Sequence, residues 1–260
     1  MTPLVKGYIT RRRVVRSEWS KLWSLRSSWY TIAASVGSAY VFAGVVGAAV
    51  NFGNAEKIQM DPVLVSMAGL NFAQLLIPVM GIMMMTSEYT TGTIRPTFTA
   101  VPHRLWVLWG KVAALMLTVL PIFLVVAFTV FPLSQLFLQG SHLEVSFSAP
   151  GTKRALIGAG VSLTLLAILG LGLGALLRST PAAIGQYIVV LTVIPQAMSI
   201  LPYAWLRTAS GYMPMKASES LMSAKPGTDH ASPRDALIAL SVWAAVSVIA
   251  AGVSLTRRDA

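Results

Sequence analysis

Few residues in this 260-residue chain have types and spacings suited to chemistry, and their placement argues against most kinds of it. Cysteine is absent, which removes thiolate nucleophiles, disulfides and Cys-based metal sites. His103, His142 and His230 stand in separate polar connections without a ligand-like spacing. Neither paired acids nor a G-x-S-x-G elbow marks an intramembrane enzyme. A P-loop needs G-x-x-x-x-G-K-[ST], and Gly110-Lys111-Val112 lacks both the first glycine and the hydroxyl, so the sequence offers no phosphate cradle. Gly170-Leu171-Gly172-Leu173-Gly174-Ala175 mimics part of a dinucleotide fingerprint but lies inside an apolar stretch. The G-x-x-x-G spacing of Gly170 and Gly174, like the small-x-x-x-small pair Gly44 and Ala48, predicts close helix packing, within one subunit or between two.

The remaining polar residues within apolar stretches are uncharged. Asn71 and Gln74 fall one helical turn apart, and Gln186 and Gln196 lie in a later stretch around Pro195. Such amides avoid lipid either by lining a passage or by bonding a neighbouring helix, and the sequence leaves both open. Proton- or sodium-coupled carriers place titratable or charged ligands in mid-membrane, so a secondary carrier is the weaker reading. A passage lined by amides, methionines and aromatics suits an amphipathic or apolar cargo, and Pro121, Pro132, Pro195 and Pro202 permit kinks.

The elements that must position these residues are six apolar stretches, at about 30–50, 63–87, 112–138, 155–177, 183–206 and 236–256, read without a charge in their interiors. Lipid admits only helices or closed barrels, and barrel-type alternation is absent, so the predicted fold is all-α integral membrane with six transmembrane helices. Composition agrees: 55% of residues are hydrophobic, 11% are charged and the mean hydropathy is +0.68. The organisation read is a leader, 1–29, followed by one membrane domain, 30–260, with an uncleaved first helix. The net charge of +11 reflects topology rather than nucleic acid. Thirteen basic residues (Lys6, Arg11, Arg12, Arg13, Arg16, Lys21, Arg26, Arg95, Arg104, Lys111, Arg178, Arg257 and Arg258) fall on the side holding both ends of the chain. Seven (Lys57, Lys153, Arg154, Arg207, Lys216, Lys225 and Arg234) fall on the other. The positive-inside rule then predicts both termini cytoplasmic in a multi-pass protein of the cell membrane.

Two polar segments stand out. In the leader, Val15, Trp19, Leu22 and Trp23 share one helical face, opposite Ser17, Lys21, Ser24 and Ser28, which predicts an amphipathic interfacial helix lying flat on the inner leaflet. After the second stretch, Met83-Met84-Met85-Thr86-Ser87-Glu88-Tyr89-Thr90-Thr91-Gly92-Thr93-Ile94-Arg95-Pro96 reads as a helix end, a turn and a firm stop. Charge pattern alone makes Glu88 a solvated residue or a partner of Arg95 or Arg104.

With those residues in view, the chain resembles the permease subunits of the ABC-2 family of ATP-binding-cassette exporters. The leader Ser17-Glu18-Trp19-Ser20-Lys21-Leu22-Trp23-Ser24-Leu25-Arg26-Ser27-Ser28-Trp29 is similar to the N-terminal segment of that family. The stretch Thr86-Ser87-Glu88-Tyr89-Thr90-Thr91-Gly92-Thr93-Ile94-Arg95 is similar to its first cytoplasmic loop, and Tyr212-Met213-Pro214-Met215-Lys216-Ala217 to the stretch before its last span. The resemblance implies that Glu88, Tyr89, Gly92 and Arg95 form an ATPase-coupling loop, with Glu88 pairing with the partner or capping a turn that faces it. It implies that Glu18, Trp19, Lys21, Trp23 and Arg26 belong to a connecting helix, and that a short re-entrant or interfacial helix lies between Tyr203 and Arg234. It further implies two permease chains working with two ATPase subunits that carry the ATP and magnesium; this chain binds no cofactor or metal, and its other partners are membrane lipids. The competing reading is a membrane anchor or immunity component that binds a partner without transport.

Overall fold

The computed structural model describes residues 10–49, 61–101, 104–227 and 230–257, apart from the side chains of Arg95, Phe98 and Ala100. The charges assigned above to Lys6, Lys57 and Arg258, and His103, lie outside the described residues. Every regular element among the described residues is helical, and six helices are long and apolar enough to cross a membrane. The chain is an all-α, multi-span membrane protein.

A leader helix α1 (Arg11–Ser24) breaks at Leu25, whose backbone is extended, and the first span α2 (Arg26–Ala49) begins at once. The indole of Trp29 donates to the Trp23 carbonyl at 3.0 Å and closes this corner. A short α3 (Pro62–Ser66) starts with Asp61 as N-cap and Pro62 in its first turn, where a missing N–H costs nothing. Then come α4 (Leu70–Thr90), α5 (Ile94–Ala100), α6 (Arg104–Leu138) and α7 (Thr152–Leu177). The fifth span runs from α8 (Thr180–Ile188) through a π-helical turn, Val189–Val193, into α9 (Ile194–Ile200). Two short helices, α10 (Ala204–Ser210) and α11 (Pro214–Met222), precede the last span α12 (Pro233–Arg257).

Three predicted boundaries move, each for a local reason. The second span begins at Leu70 rather than 63, because Met67 ends α3 and Gly69 passes so close to Ala39 that a Cβ there would strike its backbone. The fifth span stops at Ile200 rather than 206, where Leu201 turns extended ahead of Pro202. The third begins at Arg104 rather than 112. At about 1.5 Å per residue its 35 residues reach roughly 52 Å, well beyond a ~30 Å hydrocarbon layer.

The α7 helix is the axis of the bundle, with α4, α6, α11 and α12 packed around it. Lipid supplies no hydrophobic drive between helices, so close van der Waals contact must hold them, and small residues permit it. A Cβ at Gly81 would overlap the Ala167 carbonyl, and one at Gly170 would overlap that of Pro78; Gly174 faces Ile82 in the same crossing. The G-x-x-x-G pair therefore packs within the chain. A Cβ at Gly44 would meet nothing within 4 Å, and Ala48 is exposed, so the other small-residue pair makes no close helix crossing among the described residues. The first and fifth spans are the peripheral ones, each with only 22% of its apolar window buried.

Candidate functional site

The sequence places two acids, Glu18 and Glu88, far apart, and the fold brings them to one lysine. Gly110 is the local cause: a Cβ there would sit 3.0 Å from Val14 Cγ1 and 3.4 Å from Glu18 Cγ, so its absence lets α1 lie against α6. The two helices then run side by side in the same direction. The Arg11 guanidinium stacks on Trp106 at 5.5 Å, and the Trp19 indole N–H donates to Thr118 Oγ1 at 3.1 Å. The inward face of α1 is Val14, Glu18 and Leu22, three residues four apart.

Lys111 stands two turns inside α6 and is 1% exposed. Its ammonium donates to Glu18 Oε2 at 2.7 Å, to Glu88 Oε1 at 2.8 Å and to the Met84 carbonyl at 3.2 Å, so all three of its N–H bonds are satisfied. Lys21 closes the cluster from its exposed rim, donating to Glu18 Oε1 at 2.8 Å and Glu88 Oε1 at 3.0 Å. Two ammonium groups and two carboxylates leave no formal net charge. A buried ion that loses its partner costs about 3–5 kcal/mol, so the cluster acts as a clamp joining α1, α4 and α6 rather than as a set of independent pairs. For Lys21, partial burial pulls the pKa down, but hydrogen bonds and charge from Glu18 and Glu88 outweigh it and leave the group above its ordinary value.

Around this clamp α4 ends in the exposed turn 91–93, where Gly92 adopts φ +69°, a left-handed conformation that other residues rarely take. The short α5 follows. Tyr89 lies beside the clamp, with the Arg178 guanidinium 5.2 Å over its ring, and Thr180 Oγ1 donates to Thr86 Oγ1 at 2.7 Å. Arg104 donates to the Leu255 carbonyl at 2.8 Å. These contacts tie the ends of α4, α7 and α12 and the starts of α6 and α8 into one layer.

The structure revises several sequence-based expectations. Glu88 does not sit in solvent or offset Arg104: it is buried and its charge is met by Lys111 and Lys21. Its carboxylate is thus turned inward, onto the two lysines. Lys111, read as a boundary charge, is the centre of the site; Leu105 to Leu115 is apolar on both sides of it, which is the signal that a helix already underway encloses the lysine. The α1 helix packs along α6 instead of presenting one clean apolar side to lipid, and Glu18 belongs to its buried face. Trp19 is partly exposed, Trp23 packs edge-on against Trp29 at 4.7 Å, and Arg26 is exposed. Arg95 falls on α5, with its side chain outside the described residues.

The amides separate. Gln74 is buried, donating to Asn71 Oδ1 at 2.8 Å and toward Met222 Sδ at 3.7 Å, while its backbone carbonyl accepts from Tyr187 at 2.7 Å. This is a helix contact to α11 and α8. Gln186 and Gln196 are exposed on the peripheral fifth span. The segment similar to a pre-span stretch, 212–217, begins α11, which is buried against α7 and α12. No group of three or more potential metal ligands occurs among the described residues. Compared with models of known protein families and with curated proteins, the sequence matches none.

Proposed function

We propose that this chain is the permease subunit of an ATP-driven ABC-2 type exporter, moving an amphipathic or apolar cargo across the cell membrane. Two copies work with two separate ATPase chains, which bind and hydrolyse ATP with magnesium. The termini and the 91–101 hairpin face the cytoplasm. The observation that carries this reading is mechanical. An exposed turn and a short helix, α5, project from the end of α4 directly beyond a buried ion clamp that fastens α4 to α1 and α6. A closing force on such a hairpin reaches three membrane helices at once instead of being lost in a loose loop, and packed helices respond as rigid bodies. In this role Glu88 transmits load internally, and the partner meets Thr90, Thr91 and Gly92, which are exposed.

A thiol introduced as Thr91→Cys, in a chain with no other cysteine, tests the assignment in native membranes. A heterobifunctional maleimide photo-cross-linker at that position is expected to capture a P-loop ATPase chain, and the same reagent at Ser148→Cys, at the opposite end, is expected to capture none. Capture of no ATPase from Thr91→Cys under conditions where the thiol is fully labelled would remove the exporter reading.

A further inference from the structure

The outward side of α1 has a use that the clamp does not account for. Val15 forms a ridge between two grooves. One, of about 560 Å³, is lined by Arg11, Leu105, Trp109 and Ala113. The other, of about 440 Å³, is lined by Arg12, Arg16, Trp19 and Leu117. Each pairs arginine with aromatic and aliphatic surface: Trp109 is 58% and Leu117 is 60% exposed. Tryptophans at this level of a membrane helix mark the headgroup boundary.

Charge decides what would fill them. Among the described residues at this end, the acids are Glu18 and Glu88, and both are consumed by Lys111 and Lys21. The rim is left with Arg11, Arg12 and Arg16, exposed and with no carboxylate among the described residues paired to them. A cationic rim over an apolar floor that continues down α6 fits a molecule with an anionic head and long hydrocarbon chains. Guanidinium groups match phosphate oxygens with two parallel N–H bonds, and each buried methylene of a chain adds about 0.8 kcal/mol.

We propose that the α1–α6 cleft is a binding site for an anionic phospholipid, with its phosphate held by Arg12 and Arg16, Arg11 at the neighbouring edge, and its acyl chains laid along Trp109, Ala113 and Leu117. The site depends on the clamp, because Lys111 and Glu18 set the spacing of the two helices, but it does not depend on the exporter reading.

Native mass spectrometry of the full chain, purified in detergent with equal amounts of phosphatidylglycerol and phosphatidylcholine, tests it. The expected result is a roughly tenfold preference for retaining the anionic lipid, as a lost charge-assisted contact of about 1.4 kcal/mol implies. The preference should fall to parity in the triple variant Arg11→Gln, Arg12→Gln, Arg16→Gln, whose thermal midpoint in detergent is checked to be unchanged. Trp109→Ser should weaken retention of both lipids without altering the preference. Equal retention by the unmodified chain overturns the proposal, and so does a preference that survives in the triple variant. Displacement of the lipid by millimolar glycerol phosphate would mean that the headgroup alone is recognised, contradicting the acyl part of the site. Cross-links between two copies at Trp109→Cys, with no lipid retained, would assign the cleft to a second chain and overturn it equally.

Discussion

The two ends of the bundle are held by different chemistry. At the arginine-rich end, four ionised side chains from α1, α4 and α6 meet in a largely buried cluster. At the opposite end, the carboxylates stand apart from one another, and Asp61 serves neutral donors. Asp61 accepts from Val63 N at 3.1 Å, from Ser223 Oγ and from Lys225 N at 3.0 Å, while Arg154 donates to the Ser223 carbonyl at 2.6 Å. The Gln135 amide joins Ser66 and Val145 nearby at 2.8 Å and 2.9 Å. A ring of hydroxyls, amides and backbone groups loosens one bond at a time. A buried ion cluster fails as a unit, since each member left behind is an uncompensated charge. The neutral ring suits a fixed cover, and the ion cluster suits a joint that must move as one piece.

Breaking this contrast should produce its largest effect at Lys111. Lys111→Met leaves two carboxylates facing only Lys21, and a loss of about 3–5 kcal/mol is expected as a lowered thermal midpoint in detergent. Adding Glu18→Gln to Lys111→Met should recover part of that loss; two variants that simply add would deny coupling between them. At the other end, Asp61→Ala removes a helix cap and two loop contacts, with an expected cost of about 1–3 kcal/mol. Faster proteolysis or hydrogen exchange should follow around 223–227 while α1 is unaffected. Trp19→Phe deletes one hydrogen bond to Thr118 between α1 and α6, worth about 0.5–1.5 kcal/mol by thermal midpoint.

The smallest effect concerns pH. Because Lys21 titrates above its ordinary value in the folded chain, its contribution is complete below the usual lysine range and is lost as pH rises through the folded-state value. A fall in thermal midpoint at strongly alkaline pH should therefore flatten in Lys21→Gln. An unchanged profile in that variant would show that the alkaline fall arises elsewhere.

Much of the scaffold was legible in the residue pattern, since hydrophobic runs of spanning length have one helical solution in lipid. Boundaries were less so: Lys111 looked like the edge of a span because an isolated charge in an apolar run is usually a terminus, yet a distant acid on α1 makes its burial tolerable. Glu18 was hidden for the same reason. It belongs to neither set of the predicted amphipathic pattern, and only its packing beside Val14 and Leu22 against Gly110 shows that this face turns inward. Gln74 also needed the fold, because its contact on α11 lies 148 residues away. Pairings at such range leave no local periodicity to read. Gly170 and Gly174 did announce close packing, while their partner, α4, came only with three-dimensional contact.

The most direct measurement of the clamp is the distance between spin labels at Ser20→Cys on α1 and Thr91→Cys beyond α4, both exposed positions in a chain without cysteine. A single narrow distribution is expected in the parent and in Asp61→Ala, with marked broadening in Lys111→Met. Equal widths in the parent and Lys111→Met would contradict the claim that this buried lysine holds the leader helix and the 91–101 hairpin as one body.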